Sequence, residues 1–377
     1  MGGMMGASTN GVAISMMLPQ TPKAFEQGCW SHTLTHVGDK NLLTYVNDLV
    51  TPLITMAYST NARACFKTHF GETMVRFQKV RWYVKYEMIK QLFLNYDCIH
   101  NWVLECELHD HAPESTAKVR AVLTAASYTL QLEMCILVDA IDLFVRTTYD
   151  LEADTVLTFK VYDKLQALVQ HVALVRGGGA AVPNTRAVAS RIIDNNFQHA
   201  LQAAKDQRVA QLIDEQLAKV EPCFVYFEQK MVQLGPSVDV FKAVKVFHPH
   251  NIDAMGGNAD AVDTLLQAIP LIDAATRAQL ILELPAYRVM AIADLTLTAD
   301  TDVEKWWAHK VGDATIKTWY ETAIQVMLLQ PSSAAAERVF SMLKALMDDQ
   351  QAGRALEDYQ QAALMIHYNQ LMRRKAV

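Results

Sequence analysis

Residues 130–149 read Leu-Gln-Leu-Glu-Met-Cys-Ile-Leu-Val-Asp-Ala-Ile-Asp-Leu-Phe-Val-Arg-Thr-Thr-Tyr. A continuous stretch of this length with so few breakers fits a long helix, Leu130–Tyr149. Its most apolar part, Met134 to Val145, is interrupted by Asp139 and Asp142, so a membrane span is not expected. The same periodicity continues on both sides. Upstream, Glu114–Ala126 fits a separate helix. Another pattern follows Arg81 through Val84, Met88, Leu92, Leu94, Ile99 and Val103. Near the start, Leu42, Leu43, Val46, Leu49, Val50, Leu53 and Ile54 fall at helical spacing, with Asp39 as the expected N-cap and Pro52 as an expected kink or split. Downstream, helices fit Phe159–Val175, about Thr185 to Leu234, and then 260–269, 274–286, 302–309, 313–329, 332–347 and 355–374. Breaks are expected at Arg176-Gly177-Gly178-Gly179 with Pro183, and at Gly235-Pro236. Strand signals are few and short: Val12–Met16 and Val240–Val246.

Composition bounds the function classes. With 377 residues, 51% of them apolar and 20% charged, the chain buries a real core and has room for two or three domains, or for one domain split by an insertion. A net charge of −6 argues against a uniformly basic nucleic-acid binder and leaves room for a local basic patch. The six cysteines form no Cys-x-x-Cys pair, which reads as free thiols in a reducing compartment. The first basic residue is Lys23, so no secretory leader is expected. Gly6 stands where a myristoylation site wants Ser or Thr.

Several segments concentrate chemistry. Cys29, His32 and His36 would share a helix face, but zinc wants a fourth ligand and none is evident nearby; a packing role is the plainer reading. Between Arg76 and Lys90, five basic residues are interleaved with Phe77, Trp82, Tyr83 and Tyr86. That pattern suits phosphate neutralisation and base stacking, or simply a solvated basic face with aromatics in the core. Cys106-Glu107-Leu108-His109-Asp110-His111 and Phe247-His248-Pro249-His250 are rich in potential ligands, though both read first as a helix end and a turn. Pro331-Ser332-Ser333-Ala334-Ala335-Ala336-Glu337-Arg338-Val339-Phe340-Ser341 is, physically, a capped helix start.

That last segment closely resembles the signature near the C-terminus of hAT (hobo–Activator) superfamily transposases, in which the glutamate is the last acid of a metal-binding catalytic triad. Three further islands resemble the family in the right order. Gly28-Cys29-Trp30-Ser31-His32 resembles its Cys-x-x-His segment. Val80-Arg81-Trp82-Tyr83-Val84-Lys85 resembles its Arg-Trp motif, implicated in handling the DNA end. Trp306-Trp307 with Leu356-Glu357-Asp358-Tyr359 and Tyr368-Asn369 resembles its dimerisation region.

The resemblance implies a mostly α protein: an incomplete ribonuclease-H-like α/β core interrupted by a large all-helical insertion domain. Residues 1–38 would be the core remnant, 39–300 the insertion, and 301–377 the closing core helices with the dimerisation region. It implies Glu337 as the catalytic position, Arg81, Trp82, Lys79 and Lys85 as DNA contacts, Cys29 and His32 as the family motif, and Trp319, Phe340, Leu356, Tyr359 and Tyr368 in dimerisation. Where the second catalytic acid is expected the chain has Met4, Met5 and Gly6, and no carboxylate precedes Glu26. One carboxylate cannot hold a metal pair. The expectation is therefore a catalytically inactive homodimer with weak DNA contact, needing no cofactor, with Mg²⁺ or Mn²⁺ only if the missing acids exist upstream. It would be intracellular and off the membrane, nuclear if it binds DNA and otherwise cytoplasmic. The alternatives are a C-terminal fragment of an active metal-dependent transposase and a helical protein-interaction scaffold.

Overall fold

A helix leaves the amide groups of its first turn without partners, and in a helical protein those amides must be satisfied by capping side chains or by water. Two arrangements do this at seven of the described helix starts. The structure, a computed structural model, describes residues 29–76, 82–152, 157–252, 258–294, 296–329 and 331. It is mostly helical, and no strand occurs among the described residues. The helices are α1 Trp30–Gly38, α2 Thr44–Tyr58, α3 Thr60–Phe70, α4 Trp82–Leu94, α5 Ile99–Leu108, α6 Pro113–Leu151, α7 Val161–Arg176, α8 Pro183–Asn196, α9 Gln202–Gln233, α10 Gly235–Ala243, α11 Ala259–Gln267, α12 Ala274–Ala293, α13 Val303–Ala308 and α14 Lys317–Met327. Some starts are capped locally. Ser59 accepts from the Ala62 amide, Asn258 from Asp260, Asp273 from Thr276 and Asp302 from Lys305.

Three further helices follow an apolar residue that cannot cap, Leu43, Val182 or Ile316, and are served from elsewhere. In each case a carboxylate from a distant helix takes the free amides. Glu133, fully buried on α6, accepts from the Tyr45 and Val46 amides at 2.8 and 3.0 Å and from Lys219 Nζ at 2.9 Å. Asp139 on the same helix accepts from the Asn184 and Thr185 amides and from both of their side chains. Glu283 on α12 accepts from the Thr318 and Trp319 amides and from the Thr318 hydroxyl. The negative charge at a helix N-terminus adds to the hydrogen bonds. Asp39, expected to cap the helix that follows it, instead pairs with Lys85 at 3.2 Å, and α2 begins only at Thr44.

The chain divides into two compact units. The first holds His32–Tyr149 and Asp163–Gln233. Its spine is α6, on which Leu130, Met134, Cys135, Ile136, Leu137, Ala140, Ile141, Phe144 and Val145 are all buried. Non-helical angles at Ala126 (φ −147°, ψ 32°) break this element where the sequence pattern separates two helices. The element is long and apolar enough to cross a membrane by length and composition, but 56% of its apolar window is buried. Within its apolar part, Glu133, Asp139 and Asp142 each hold a buried partner: the Val46 amide, the Thr185 amide and the Tyr86 hydroxyl. Pro52 lies within α2 without splitting it, and the pattern read as one helix after Thr185 is two, α8 and α9, parted at Phe197.

The second unit comprises Met1–Ser31, Asp150–Tyr162 and Leu234–Val377. Its core is an aromatic cluster of Tyr287, Trp306, Trp307, Trp319 and Phe247, with ring centroids 4.5–6.0 Å apart. Buried rings with polar tips need acceptors. Tyr287 Oη donates to the Val246 carbonyl and Trp307 Nε1 to the Phe247 carbonyl. This corrects the strand reading of Val240–Val246. The segment is the end of α10 followed by a 3₁₀ turn, Val244–Phe247, whose terminal carbonyls are free to receive those donors. This cluster ties residues 246 and 287 to 306–319 within the second unit. Val12–Met16, and the helices expected over 332–347 and 355–374, lie outside the described residues.

Removing a fully buried acceptor strands several donors at once. Glu133→Ala is expected to destabilise the chain by about 3 kcal/mol, since it leaves two amides and an ammonium unpaired. Urea unfolding followed by circular dichroism measures this, with the exposed Glu72→Ala as the comparison.

Candidate functional site

The basic, aromatic segment expected to meet DNA falls on α4, and its side chains are engaged within the first unit. Trp82 is 6% exposed, and its indole lies flat against the end of α1: a Cβ built on Gly38 would sit 2.1 Å from the ring. Gly38 is there because the ring leaves no room for a side chain. Trp82, expected to stack on a base, is thus packed within the first unit. Tyr83 packs edge-on against Tyr149 at 4.9 Å. Lys85 pairs with Asp39. Tyr86 Oη and Lys90 Nζ both donate to Asp142 Oδ1, at 2.5 and 2.7 Å, and Arg146 closes on its other oxygen. Burial alone would raise the Asp142 carboxyl. The hydrogen bonds from Lys90 and Tyr86 and the charges of Lys90 and Arg146 outweigh it and hold the group below its ordinary range. Arg81 and Lys79 lie outside the described residues.

Cys29 is half-buried, its Sγ 3.4 Å from Ser31 Oγ. His32 and His36 meet through their Nε2 atoms at 3.0 Å, so one of the facing nitrogens carries the proton and the other accepts it. Trp319, expected on a dimer surface, is fully buried and donates to the Leu280 carbonyl at 2.8 Å. It is core, because the aromatic cluster closes around it. Glu337, Phe340, Leu356, Tyr359 and Tyr368 lie outside the described residues. His248 is buried against Phe159, and burial pushes its imidazole down to about 4, so the ring is neutral at physiological pH.

The structure assembles one group that the sequence reading did not. Cys65 and His69 stand one turn apart on α3 and face Glu105 on α5. The Cys65 Sγ, a His69 ring nitrogen and a Glu105 carboxylate oxygen all lie within 4.8 Å of one another. His69 Nε2 is 2.6 Å from Glu105 Oε2. Cys106, beside Glu105, hydrogen-bonds the Cys65 thiol. Burial pushes the Cys65 thiol up to about 11 and Cys106 higher still, whereas the hydrogen bond from His69 holds the Glu105 carboxyl low. Phe66 and Phe70 stack at 3.8 Å, and both meet Trp102 edge-on, which locks α3 to α5 and fixes the donors. Cys106 falls in the ligand-rich segment singled out from the sequence. Its neighbours in space do not, although the Cys-x-x-x-His spacing at 65–69 was legible.

A different kind of feature lies on α12 in the second unit. Leu280, Leu284, Tyr287 and Ala291 are buried, and the opposite side presents Ala275, Ala278, Leu282, Pro285, Val289 and Ile292 to solvent. Leu282 is 74% exposed, Val289 68% and Ile292 53%. Compared with known proteins, the chain matches no protein-family model and no curated protein.

Two outcomes follow from α4. Gly38→Ala is expected to cost about 1–3 kcal/mol by overpacking, and almost nothing when Trp82→Ala is already present; urea unfolding of the four variants in the cycle checks this. Because the Asp142 carboxyl is depressed in the folded chain, the stability it contributes is present above the ordinary aspartate value of about 3.9 and is lost as pH falls through the folded value. Unfolding midpoints measured downward from neutral pH are expected to drop below about pH 4, with a shallower fall in Asp142→Asn.

Proposed function

We propose that this chain is a hAT-transposase-derived helical protein that works by associating with a second copy of itself and does not cut DNA. The family part of the reading is supported by the Pro331–Ser341 motif and the islands in order around it. The observation that carries the association is the exposed apolar face of α12. Positions 275, 278, 282, 285, 289 and 292 alternate by three and four, the spacing with which one helix packs along another. Apolar side chains in such a row are expensive in water and have no solvation role. Even Pro285, which cannot donate its amide, sits on this outward side. Two copies related by a twofold axis would bury the same stripe on each.

DNA contact is not part of the proposal, because the indole of Trp82 and the ammonium of Lys85 are already occupied inside the first unit. Strand cleavage is not part of it either, since the resemblance puts the second catalytic acid at Met4, Met5 and Gly6, none of which carries a carboxylate.

Light scattering on the full chain across a concentration series is expected to give the mass of a dimer. Leu282→Glu with Val289→Glu is expected to give a monomer with unchanged helicity. A wild-type chain of monomer mass throughout, or a double variant that remains dimeric, refutes the proposal.

A further inference from the structure

The group at Cys65, His69 and Glu105 has the donors of a transition-metal site, independently of how the chain associates. We propose that these residues bind one zinc-class divalent cation through Cys65 Sγ, His69 Nε2 and a Glu105 carboxylate oxygen. The three donor atoms lie within 4.8 Å of one another. Donors on zinc at about 2.0–2.3 Å in a tetrahedral array stand roughly 3.3–3.7 Å apart, so an ion fits with small side-chain rotations. The shortest spacing, 2.6 Å between His69 and Glu105, is a hydrogen bond, and the ion replaces the proton shared there.

The choice of metal follows from the donors. Sulfur with imidazole selects zinc and its neighbours, whereas magnesium and calcium want oxygen alone. A thiolate and a carboxylate supply two negative charges to balance the ion. The Cys65 thiol donates to the Trp102 carbonyl at 3.8 Å, and the ion takes the place of that proton on binding. Trp102 Nε1 donates to the Ala62 carbonyl at 3.2 Å, so the helix bearing Cys65 and the helix bearing Glu105 are held in register by a bond that involves no ligand. Donors on rigid, mutually braced helices are what a site of defined geometry needs. The site is also reachable: the side chains of His69 and Glu105 are 22% and 38% exposed, while Cys65 lies behind them. Three protein ligands leave one position on the solvent side for water.

The full chain, stripped with a chelator and dialysed, is titrated with Co²⁺ alone by absorption and with Zn²⁺ alone by calorimetry. One cobalt per chain is expected, with a sulfur-to-cobalt charge-transfer band and the intense visible bands of a four-coordinate ion. Cys65→Ser is expected to lose the charge-transfer band. Glu105→Gln, at a half-exposed position where folding is not at risk, is expected to keep the band and weaken zinc binding by about tenfold or more. His36→Gln, which disrupts the other histidine pair, is expected to change neither. No stoichiometric uptake by the wild-type chain, a band that survives Cys65→Ser, zinc affinity unchanged in Glu105→Gln, or uptake abolished by His36→Gln would each overturn the assignment.

Discussion

The unpaired amides at the start of a helix dictate how this protein is held together. Where Ser59, Asn258, Asp273 or Asp302 precedes a helix, the cap is local and the helix start needs nothing else. Where Leu43, Val182 or Ile316 precedes it, the cap comes from Glu133, Asp139 or Glu283, which lie 35 to 88 residues away along the chain. A carboxylate buried without partners would be costly, and a helix start buried without partners equally so. Brought together, each cancels the other's cost, and the distance between helices becomes fixed to a hydrogen-bond length. The acids that interrupt the apolar run of α6 are thus the points at which that helix grips its neighbours.

The same economy explains what is absent from the surface. A basic helix studded with aromatics would suit DNA if its side chains were free. Here Trp82 covers Gly38, and Tyr86 and Lys90 converge on Asp142. What remains for function lies elsewhere: a rigid pair of helices carrying Cys65, His69 and Glu105 in one unit, and an apolar stripe on α12 in the other. Each owes its form to a packed aromatic cluster beneath it. Phe66, Phe70 and Trp102 brace the first. Tyr287, buried against Trp306, Trp307 and Trp319, turns the opposite side of α12 outward.

Helical periodicity alone was enough to read the mostly α character, most element positions and the interruption near Ala126. The breaks at Gly177-Gly178 and Gly235-Pro236 were equally legible. These are local properties: side chains three and four residues apart share a face whatever the rest of the chain does. The valine-rich run Val240–Val246 misled, because it has the composition of a strand while the Val246 carbonyl and its neighbour, that of Phe247, serve as acceptors for Tyr287 and Trp307. Asp39 misled as well, since its cation, Lys85, lies 46 residues downstream.

Only the tertiary structure decided which carboxylate caps which helix, that Trp82 is core, and that a histidine and a glutamate 36 residues apart touch. Pairings of this kind are set by how helices pack across one another, and no window of sequence contains both partners. The sequence by itself determined where the helices run and which residues could act as donors, acceptors or ligands. Packing determined which of those capacities are consumed in holding the fold and which are left over for something else. The reason is energetic: a buried polar atom must be satisfied by whatever lies beside it in space, and that neighbour is chosen only when the chain folds.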